Sequence, residues 1–362
     1  MPVVEAVEEK VCRSYRSPVT DRPVRTDGRR RVGIVDVARR AGVSVGTVSK
    51  ALNGRGQLRD ETRARVQAVA HELGFVPSAV AASLLTGRTY TVGLIMTDHH
   101  GRFSLPVLHG AEDALGWGET LALVCDTRDD PIREQHYVRS LIRRRVDGII
   151  VAGRRTDPRP PLGGRPPVPV VYAFARSSDA ADCSVVVNEE AGAREAVEHL
   201  IRTGRRRIAH VTGPRGHASV RTRVDGTRHA LHEAGLELVG EPWYGGWSEV
   251  WGRFAAAALT RSHPDVDAVF CGSDAIARGV ADGLRECGRR VPDDVALVGV
   301  DNWQPTAEGC RPPLTSVDLN LQEVGRTAGA LLLRAIEYGA APGIHTVPCR
   351  LVVRASSAPA SG

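Results

Sequence analysis

Long apolar runs are missing from this chain of 362 residues, and aromatic side chains make up only 4% of it. No stretch approaches the roughly 18 apolar residues that a helix needs to cross a bilayer, so we expect no membrane partner. The first ten residues, MPVVEAVEEK, place acids where a secretory signal would need an apolar core. The sequence therefore predicts a soluble protein of the cytoplasm.

Disulfide, metal and catalytic signatures are also missing. The seven cysteines are scattered without a C-x-x-C pair, which indicates reduced thiols rather than a disulfide framework or a metal cage. There is no nucleophile elbow, no phosphate-binding loop and no dinucleotide fingerprint after a strand. The adjacent pair His99-His100 diverges and has no carboxylate at a useful spacing. We therefore expect no enzyme, no metal site and no cofactor.

Positive charge is concentrated in the first quarter of the chain. Residues 1–90 hold 16 Lys or Arg and 9 Asp or Glu, a net charge of +7, whereas the remainder holds 32 and 33, a net charge of −1. A small basic module on a near-neutral body is typical of a protein that binds a polyanion. Residues 1–30 are expected to form a disordered basic tail, which either has no specific role or adds non-specific affinity for phosphate groups.

Residues 31–76 carry the periodicity of three short helices. In the first, apolar residues at helical spacing would form one buried face: Ile34, Val37, Ala38 and Ala41. Gly42 supplies a left-handed residue to end it, and Ser44 is a good N-cap for the second helix. The third begins at the acidic turn Asp60-Glu61, where negative charge favours the helix dipole. Two helices joined by a tight turn and braced by a third form a helix-turn-helix.

The second helix is small and weakly polar on its outer face. A recognition helix lies in the major groove, where bulky side chains would hold its backbone away from the base edges. Hydroxyl groups can form hydrogen bonds with bases or phosphates, and a lysine can neutralise a phosphate. A surface hairpin in an ordinary helical domain is the alternative, but the basic excess favours DNA. The predicted contacts are Ser44, Val45, Gly46, Thr47, Ser49, Lys50 and Asn53.

This segment resembles the N-terminal DNA-binding domain of LacI/GalR-type bacterial transcriptional repressors. The resemblance rests on Val35-Asp36-Val37-Ala38, Ala41-Gly42-Val43-Ser44, Thr47-Val48-Ser49, Leu52-Asn53, Glu61-Thr62-Arg63 and Leu73-Gly74-Phe75-Val76-Pro77. It implies that the first two residues of the recognition helix read the bases. Here these are Val45 and Gly46, which have no side-chain hydrogen-bonding group. Specificity would then come from methyl contacts, from neighbouring polar side chains or from DNA shape.

Residues 77–90 resemble the family's hinge, a linker that becomes a short helix on operator DNA. An isolated helix of this length is unstable in water, so it would order only when a dimer partner and DNA supply contacts. The resemblance implies that Leu84 wedges into a minor-groove base step and kinks the duplex, and that Ser78 and Ala81 also contact DNA. An Ala-rich linker without this role is the alternative, which the adjacent helix-turn-helix disfavours.

From residue 91 onward, short apolar runs alternate with amphipathic helical stretches. Strands separated by helices predict parallel α/β sheets, and two sets of strands predict two lobes. Residues 91–354 resemble the periplasmic-binding-protein-like sensor domain of the same family, and we expect a disordered tail at 355–362. The predicted strands are 91–96, 120–125, 146–153, 169–174, 184–187, 207–213, 268–272, 296–300 and 350–354. The predicted fold class is a small all-α helix-turn-helix domain followed by an α/β domain of two parallel-sheet lobes.

Such lobes bind a small molecule in the cleft at the carboxyl ends of their strands. The resemblance implies an effector site formed by Phe103, Phe174, Arg223, Trp247, Ser273 and Asp301. Arg223 can donate a fork of hydrogen bonds to hydroxyls or to an anion, and Asp301 suits paired sugar hydroxyls. Phe174 stands where the family is often polar, which predicts a less polar or differently oriented effector. For each residue, plain packing or a surface ion pair is the alternative.

Together these features predict a DNA-binding transcriptional regulator, a repressor, of the cytoplasm and nucleoid. Its partners would be double-stranded DNA with a pseudo-palindromic operator, a sugar or sugar derivative as effector, and a second copy of the chain in a homodimer. The alternative is a sugar-binding or sugar-modifying α/β protein whose helical domain plays no part in operator control. A fold by itself does not decide between them.

Overall fold

The computed structural model describes residues 32–52, 57–75, 87–98, 101–116, 120–340 and 342–358. The chain divides into two compact units, Met1–Ala82 and Ser83–Gly362. The tail predicted at residues 1–30 lies outside the described residues, as does most of the hinge predicted at 77–90.

The first unit contains three short helices, α1 (Ile34–Ala41), α2 (Val45–Leu52) and α3 (Asp60–Glu72). Helices of this length are marginal on their own in water, so their stability comes from the core that they share. That core is made of small apolar side chains from all three helices. The fully buried ones are Val37, Ala38, Ala41, Val48, Ala51, Val66 and Ala70.

The turn between α1 and α2 has the chemistry that the sequence predicts. Gly42 lies at φ 68°, the left-handed conformation that glycine adopts without steric cost. The Oγ of Ser44 accepts the backbone N–H of Thr47 at 3.1 Å and so caps α2. On the other side of the unit, Arg40 and Glu72 form an ion pair at 3.0 Å that links α1 to α3. The predicted cap and left-handed turn are confirmed.

The second unit alternates strands and helices. Its first half contains β1 (Thr91–Met96), α4 (Ser104–Leu115), β2 (Leu121–Asp126), α5 (Pro131–Arg143), β3 (Gly148–Ala152), β4 (Pro158–Arg159), β5 (Val170–Ala173), β6 (Arg176–Ser177), β7 (Cys183–Val187) and α6 (Glu189–Arg202). Its second half contains β8 (Ile208–Thr212), α7 (Ala218–Glu233), β9 (Trp243–Tyr244), α8 (Glu249–Ser262), β10 (Ala268–Cys271), α9 (Asp274–Glu286), β11 (Ala296–Val300), α10 (Gln304–Ala307), β12 (Thr315–Asp318), α11 (Leu321–Tyr338), β13 (Gly343–Val347) and β14 (Arg350–Val352).

Twelve of these strands form two lobes, each built on a six-stranded sheet, and β4 pairs with β6 in a separate two-stranded sheet. The first sheet has the order β13-β7-β5-β3-β1-β2 and is parallel throughout. The second has the order β14-β12-β11-β10-β8-β9 and is parallel except for β14, which runs antiparallel to β12. The chain therefore passes from one sheet to the other three times, after β7, after β12 and after β13.

The predicted strands are confirmed, with ends that differ by two residues at most. The central strands β3, β10 and β11 are buried along their whole length, as their continuous apolar sequences predict for parallel sheets covered on both faces. Five strands of the described chain were not predicted. Three of these, β4, β6 and β9, have two residues each, and the others are β12 and β13.

The predicted disordered tail from residue 355 is wrong for residues 355–358. Ser356 and Ser357 are 0% and 1% exposed. The backbone oxygen of Ser356 accepts the N–H of Leu297 at 2.7 Å, and the Oγ of Ser357 lies 2.7 Å from Nε2 of His199. Small polar residues look like a tail in the sequence, but here their hydrogen bonds attach the chain end to β11 and α6.

Candidate functional site

The outer face of α2 carries small side chains and one cation. Val45 is 41% exposed, and Gly46 and Lys50 are exposed beside it. A Cβ added at Gly46 would meet nothing nearer than the Oγ of Ser44, at 3.8 Å. The backbone of this helix is therefore open to close approach by a large flat surface such as the floor of a DNA groove.

Polar groups cluster at the start of the same helix. The hydroxyl oxygens of Ser44 and Thr47 lie 2.9 Å apart and share a hydrogen bond. Six of the predicted DNA contacts are thus brought together on α2 and the turn before it: Ser44, Val45, Gly46, Thr47, Ser49 and Lys50. The other four, Asn53, Ser78, Ala81 and Leu84, lie outside the described residues.

A cavity of about 220 Å³ lies between the two lobes of the second unit. It opens at the carboxyl ends of the strands, where ligands bind in open α/β sheets. All six predicted effector residues line it: Phe103, Phe174, Arg223, Trp247, Ser273 and Asp301. Five of them lie in the loops that follow β1, β5, β9, β10 and β11, and the sixth, Arg223, lies on α7. Residues that are up to 198 positions apart therefore share one site.

Arg223 is buried in the wall of the cavity, with its side chain 6% exposed. Its Nε lies 3.1 Å from Oε2 of Glu189, and its NH1 donates to the backbone oxygen of Gly272. The guanidinium also lies over the ring of Trp247, 5.9 Å from the centroid. A buried charge needs such a partner to remain ionised. The sequence analysis gave plain packing or a surface ion pair as the alternative, whereas the pair found here is buried. A ligand contact from Arg223 stays a prediction.

Asp301 forms an ion pair with Arg102, which the sequence analysis missed. Arg102 belongs to the first lobe and Asp301 directly follows β11 of the second, so this pair joins the two sides of the cleft. Asp301 has a φ of 110°, a conformation that L residues rarely adopt and that is concentrated at functional sites. Burial raises the pKa of Asp301, and the nearby Arg102 and Arg223 guanidiniums oppose that rise.

Aromatic rings form the apolar part of the wall. The rings of Phe103 and Phe174 lie 5.5 Å apart at an interplanar angle of 31°. Across the cleft, Nε1 of Trp247 donates to Nδ1 of His217 at 3.1 Å. Rings held by packing and hydrogen bonds offer rigid faces to a sugar or another flat ligand. Ser273, which also lines the cavity, caps α9, because its Oγ accepts the N–H of Ile276 at 3.3 Å.

Several residues of the lining were missed by the sequence analysis: Arg102, Arg154, Arg155, Glu189, His217 and Ser219. A signal for two of them was available. Arg154 and Arg155 come within three residues of the end of the apolar strand β3, and carboxyl ends of parallel strands are where ligands bind. Arg102 and Glu189 pair with residues far away in the sequence, so no local pattern could have identified them.

The buried carboxyl of Asp274 predicts a pH dependence of stability. Burial raises the pKa of Asp274 to about 7, Asp301 adds to the rise, and hydrogen bonds from Ser316 and Trp303 oppose it. Between about pH 4 and 7 the native protein then keeps a proton that the unfolded chain has released, so its free energy of unfolding falls as the pH rises. Asp274→Asn should flatten this fall, by at most about 1.4 kcal/mol per pH unit. Urea unfolding of both proteins from pH 4.5 to 7.5 measures the difference, and parallel curves would contradict it.

In the described part of the chain, no group of three or more His, Cys, Asp or Glu could hold a metal ion, and no helix is both long and apolar enough to span a membrane. His99 and His100 lie outside the described residues.

Comparison with known proteins identifies both units. Residues 33–78 match the family described as bacterial regulatory proteins, lacI family, and residues 197–357 match the periplasmic binding protein-like domain. The HTH-type transcriptional regulator CelR of Thermobifida fusca is 36% identical over 338 residues, which cover 90% of this chain and 96% of that protein. The chain belongs to the lacI family of bacterial regulatory proteins.

Solved structures agree with this assignment. A CelR–cellobiose complex matches with a TM-score of 0.63 at 32% identity and covers 90% of this chain and 100% of that one. The lac repressor dimer bound to operator and the anti-inducer ONPF matches with a TM-score of 0.69 at 25% identity, covering 91% and 99%. This lacI-family member is therefore a DNA-binding transcriptional regulator that carries a periplasmic-binding-protein-like sensor domain.

Proposed function

We propose that this lacI-family regulator is a homodimeric repressor. Its affinity for a pseudo-palindromic operator is controlled by a sugar or sugar derivative that binds in the inter-lobe cavity. One observation carries the proposal. Six residues from both lobes, chosen from the sequence, line a single cavity at the carboxyl ends of the strands. The relative CelR was solved with cellobiose, and the lac repressor was solved as a dimer on its operator.

The proposed mechanism links two equilibria. Two copies of α2 would enter successive major grooves of the operator, with Lys50 neutralising a phosphate and the small outer face close to the bases. A ligand in the cavity touches both lobes, so its binding energy depends on how they are oriented. Such a ligand can shift the operator equilibrium by its difference in affinity for the two arrangements, typically about 1–3 kcal/mol.

We propose that the protein acts by binding and not by turnover, at the nucleoid in the cytoplasm. In the proposed site, the cleft carboxylates are held by guanidiniums, Asp301 by Arg102 and Glu189 by Arg223. This arrangement suits the recognition of hydroxyls. We also propose that Asn53, at the recognition helix, and Ser78, Ala81 and Leu84, in the hinge, contact DNA.

The direct experiment is a selection of duplex DNA from a random-sequence library by the full-length protein. We expect a palindromic consensus whose affinity falls steeply with salt, because bound lysines and arginines displace counterions. Fluorescence anisotropy on the selected duplex, with a panel of sugars that includes cellobiose, then tests for a change in affinity. Failure to enrich any palindrome would refute the operator, and an unaltered affinity with every sugar would refute the effector class.

Trp247→Ala should weaken the response to a sugar that alters operator affinity. The side chain is 36% exposed, so its truncation removes an aromatic face of the cavity at little cost to the fold. Loss of one such contact costs about 0.5–1.5 kcal/mol, which raises the half-maximal sugar concentration by up to about tenfold. Ile132→Ala on α5, which also truncates an exposed apolar side chain, is the control. A dose–response curve that coincides with that of the control would remove Trp247 from the site.

A further inference from the structure

The two walls of the cavity differ in charge. In the described part of the chain, the first lobe lines the cavity with Arg102, Arg154, Arg155 and two phenylalanines, and with no acidic side chain. Both acidic residues of the lining, Glu189 and Asp301, lie on the opposite wall. A ligand between these walls would meet cations on one side and hydrogen-bond acceptors on the other.

The two acidic residues are already engaged. Asp301 pairs with Arg102, and Glu189 pairs with Arg223 at 3.1 Å. Arg154 and Arg155 therefore have no carboxylate partner within the lining itself.

The partners of these two arginines lie outside the lining. Arg154 pairs with Asp129, and Nε of Arg155 approaches Oδ2 of Asp157 only to 4.0 Å. Oδ1 of Asp157 accepts the N–H of Ala218 at 2.8 Å, and its Oδ2 is buried without a hydrogen-bond partner in the described residues. The side chains of Arg154 and Arg155 remain 37% and 47% exposed and line the cavity, so a ligand there can reach them.

Arg154 is also incompletely satisfied. Its Nε is buried and donates to no acceptor, and the same holds for Nε of Arg102. A guanidinium carries five donors in a planar fork that matches the oxygens of a carboxylate or phosphate. Two adjacent forks on one wall, facing a partly closed cleft, are better compensated by an anion than by neutral hydroxyls.

The size of the cavity limits the ligand. Its volume of about 220 Å³ lies below the roughly 300–1,000 Å³ that is usual for larger ligands, which fits one sugar ring with one substituent. Phe103, Phe174 and Trp247 supply apolar faces for the ring, and Asp301 can accept from its hydroxyls.

We infer that the effector is an acidic monosaccharide, whose carboxylate or phosphate group binds Arg154 and Arg155 while its hydroxyls face Asp301 and Glu189. This inference rests on the proposed function and specifies its ligand.

The test compares matched sugars by isothermal titration on the full-length protein. For the gluco, galacto and manno series, the neutral hexose, its uronate and its 6-phosphate are titrated separately, so that carboxylate and phosphate are distinguished. We expect an acidic member of one series to bind at least about tenfold more tightly than its neutral hexose, as one charge-assisted hydrogen bond provides. In the double variant Arg154→Gln/Arg155→Gln that ratio should fall to about one.

Arg139→Gln, on the exposed side of α5 and outside the cavity, is the matched control and should keep the ratio. The inference is overturned if a neutral hexose binds as tightly as its acidic counterparts, if no acidic member binds, or if the double variant keeps the preference. Anisotropy on the selected operator is measured in parallel. Operator release by a neutral sugar alone would leave the proposed function intact and reject only the acidic ligand.

Discussion

Gly46→Glu should abolish operator binding without harming the fold. Gly46 is exposed on the outer face of α2, and space around it is open because the nearest neighbour of an added Cβ is 3.8 Å away. A glutamate there adds bulk and negative charge where we expect the helix to face bases and phosphates. Like charges brought together at an interface cost several kcal/mol, so affinity should fall by at least roughly 100-fold.

Two control variants separate the effect of charge at this position from general effects on stability and net charge. Gly46→Ala should keep operator binding and raise stability, since alanine exceeds glycine in helix propensity by about 0.8–1.0 kcal/mol. Gln67→Glu places the same charge on an exposed position of α3 and should weaken binding only slightly. Anisotropy on the selected duplex gives the affinities, and thermal melting gives the stabilities. If Gly46→Glu bound within threefold of the parent, α2 would not be the helix that enters the groove.

Arg223→Ala should destabilise the second unit strongly. Removing the guanidinium leaves Glu189, whose side chain is 3% exposed, as a buried charge without its ion-pair partner. Breaking a buried pair from one side costs about 3–5 kcal/mol, which corresponds to a fall in Tm of several degrees or more for a unit of this size. Effector responses measured with this variant would therefore mix loss of stability with loss of contact.

Two further variants test whether the loss of stability in Arg223→Ala comes from breaking the ion pair. Arg221→Ala, two residues earlier on α7 and exposed, removes a guanidinium that donates to the backbone oxygen of Gly216 and should change Tm little. The double variant Arg223→Met/Glu189→Gln removes both charges and should recover most of the lost stability. Melting curves that place the double variant below Arg223→Ala would show that packing, and not charge, dominates at this position.

The sequence predicts this molecule well wherever the signal is local. Gly42 and Ser44 define the turn before α2 by their own conformational preferences, and β3 and β11 are continuous apolar runs. By contrast, β13 alternates half-buried and exposed residues before the buried Val347, and without a buried apolar run it resembles a loop. No sequence pattern predicts that Ser356 and Ser357 are buried, because only their partners in the folded protein distinguish them from a polar tail.

The candidate site, too, could be predicted from the sequence only in part. Family resemblance placed six residues at the cavity, but it could not reveal which of them have partners. The Arg102–Asp301 pair joins residues in different lobes, and Arg223 meets Glu189 only because α6 and α7 pack together. Such pairs depend on the tertiary fold, so the charge of the cavity could be read only from the structure.

The order of strands in the two sheets has a practical consequence. Neither lobe is encoded by one uninterrupted stretch, because the chain returns to the first sheet for β13 and to the second for β14. No single cut by a protease or at the level of the gene can release an intact lobe. A stop codon shortly before residue 343 would deprive both sheets of an edge strand at once.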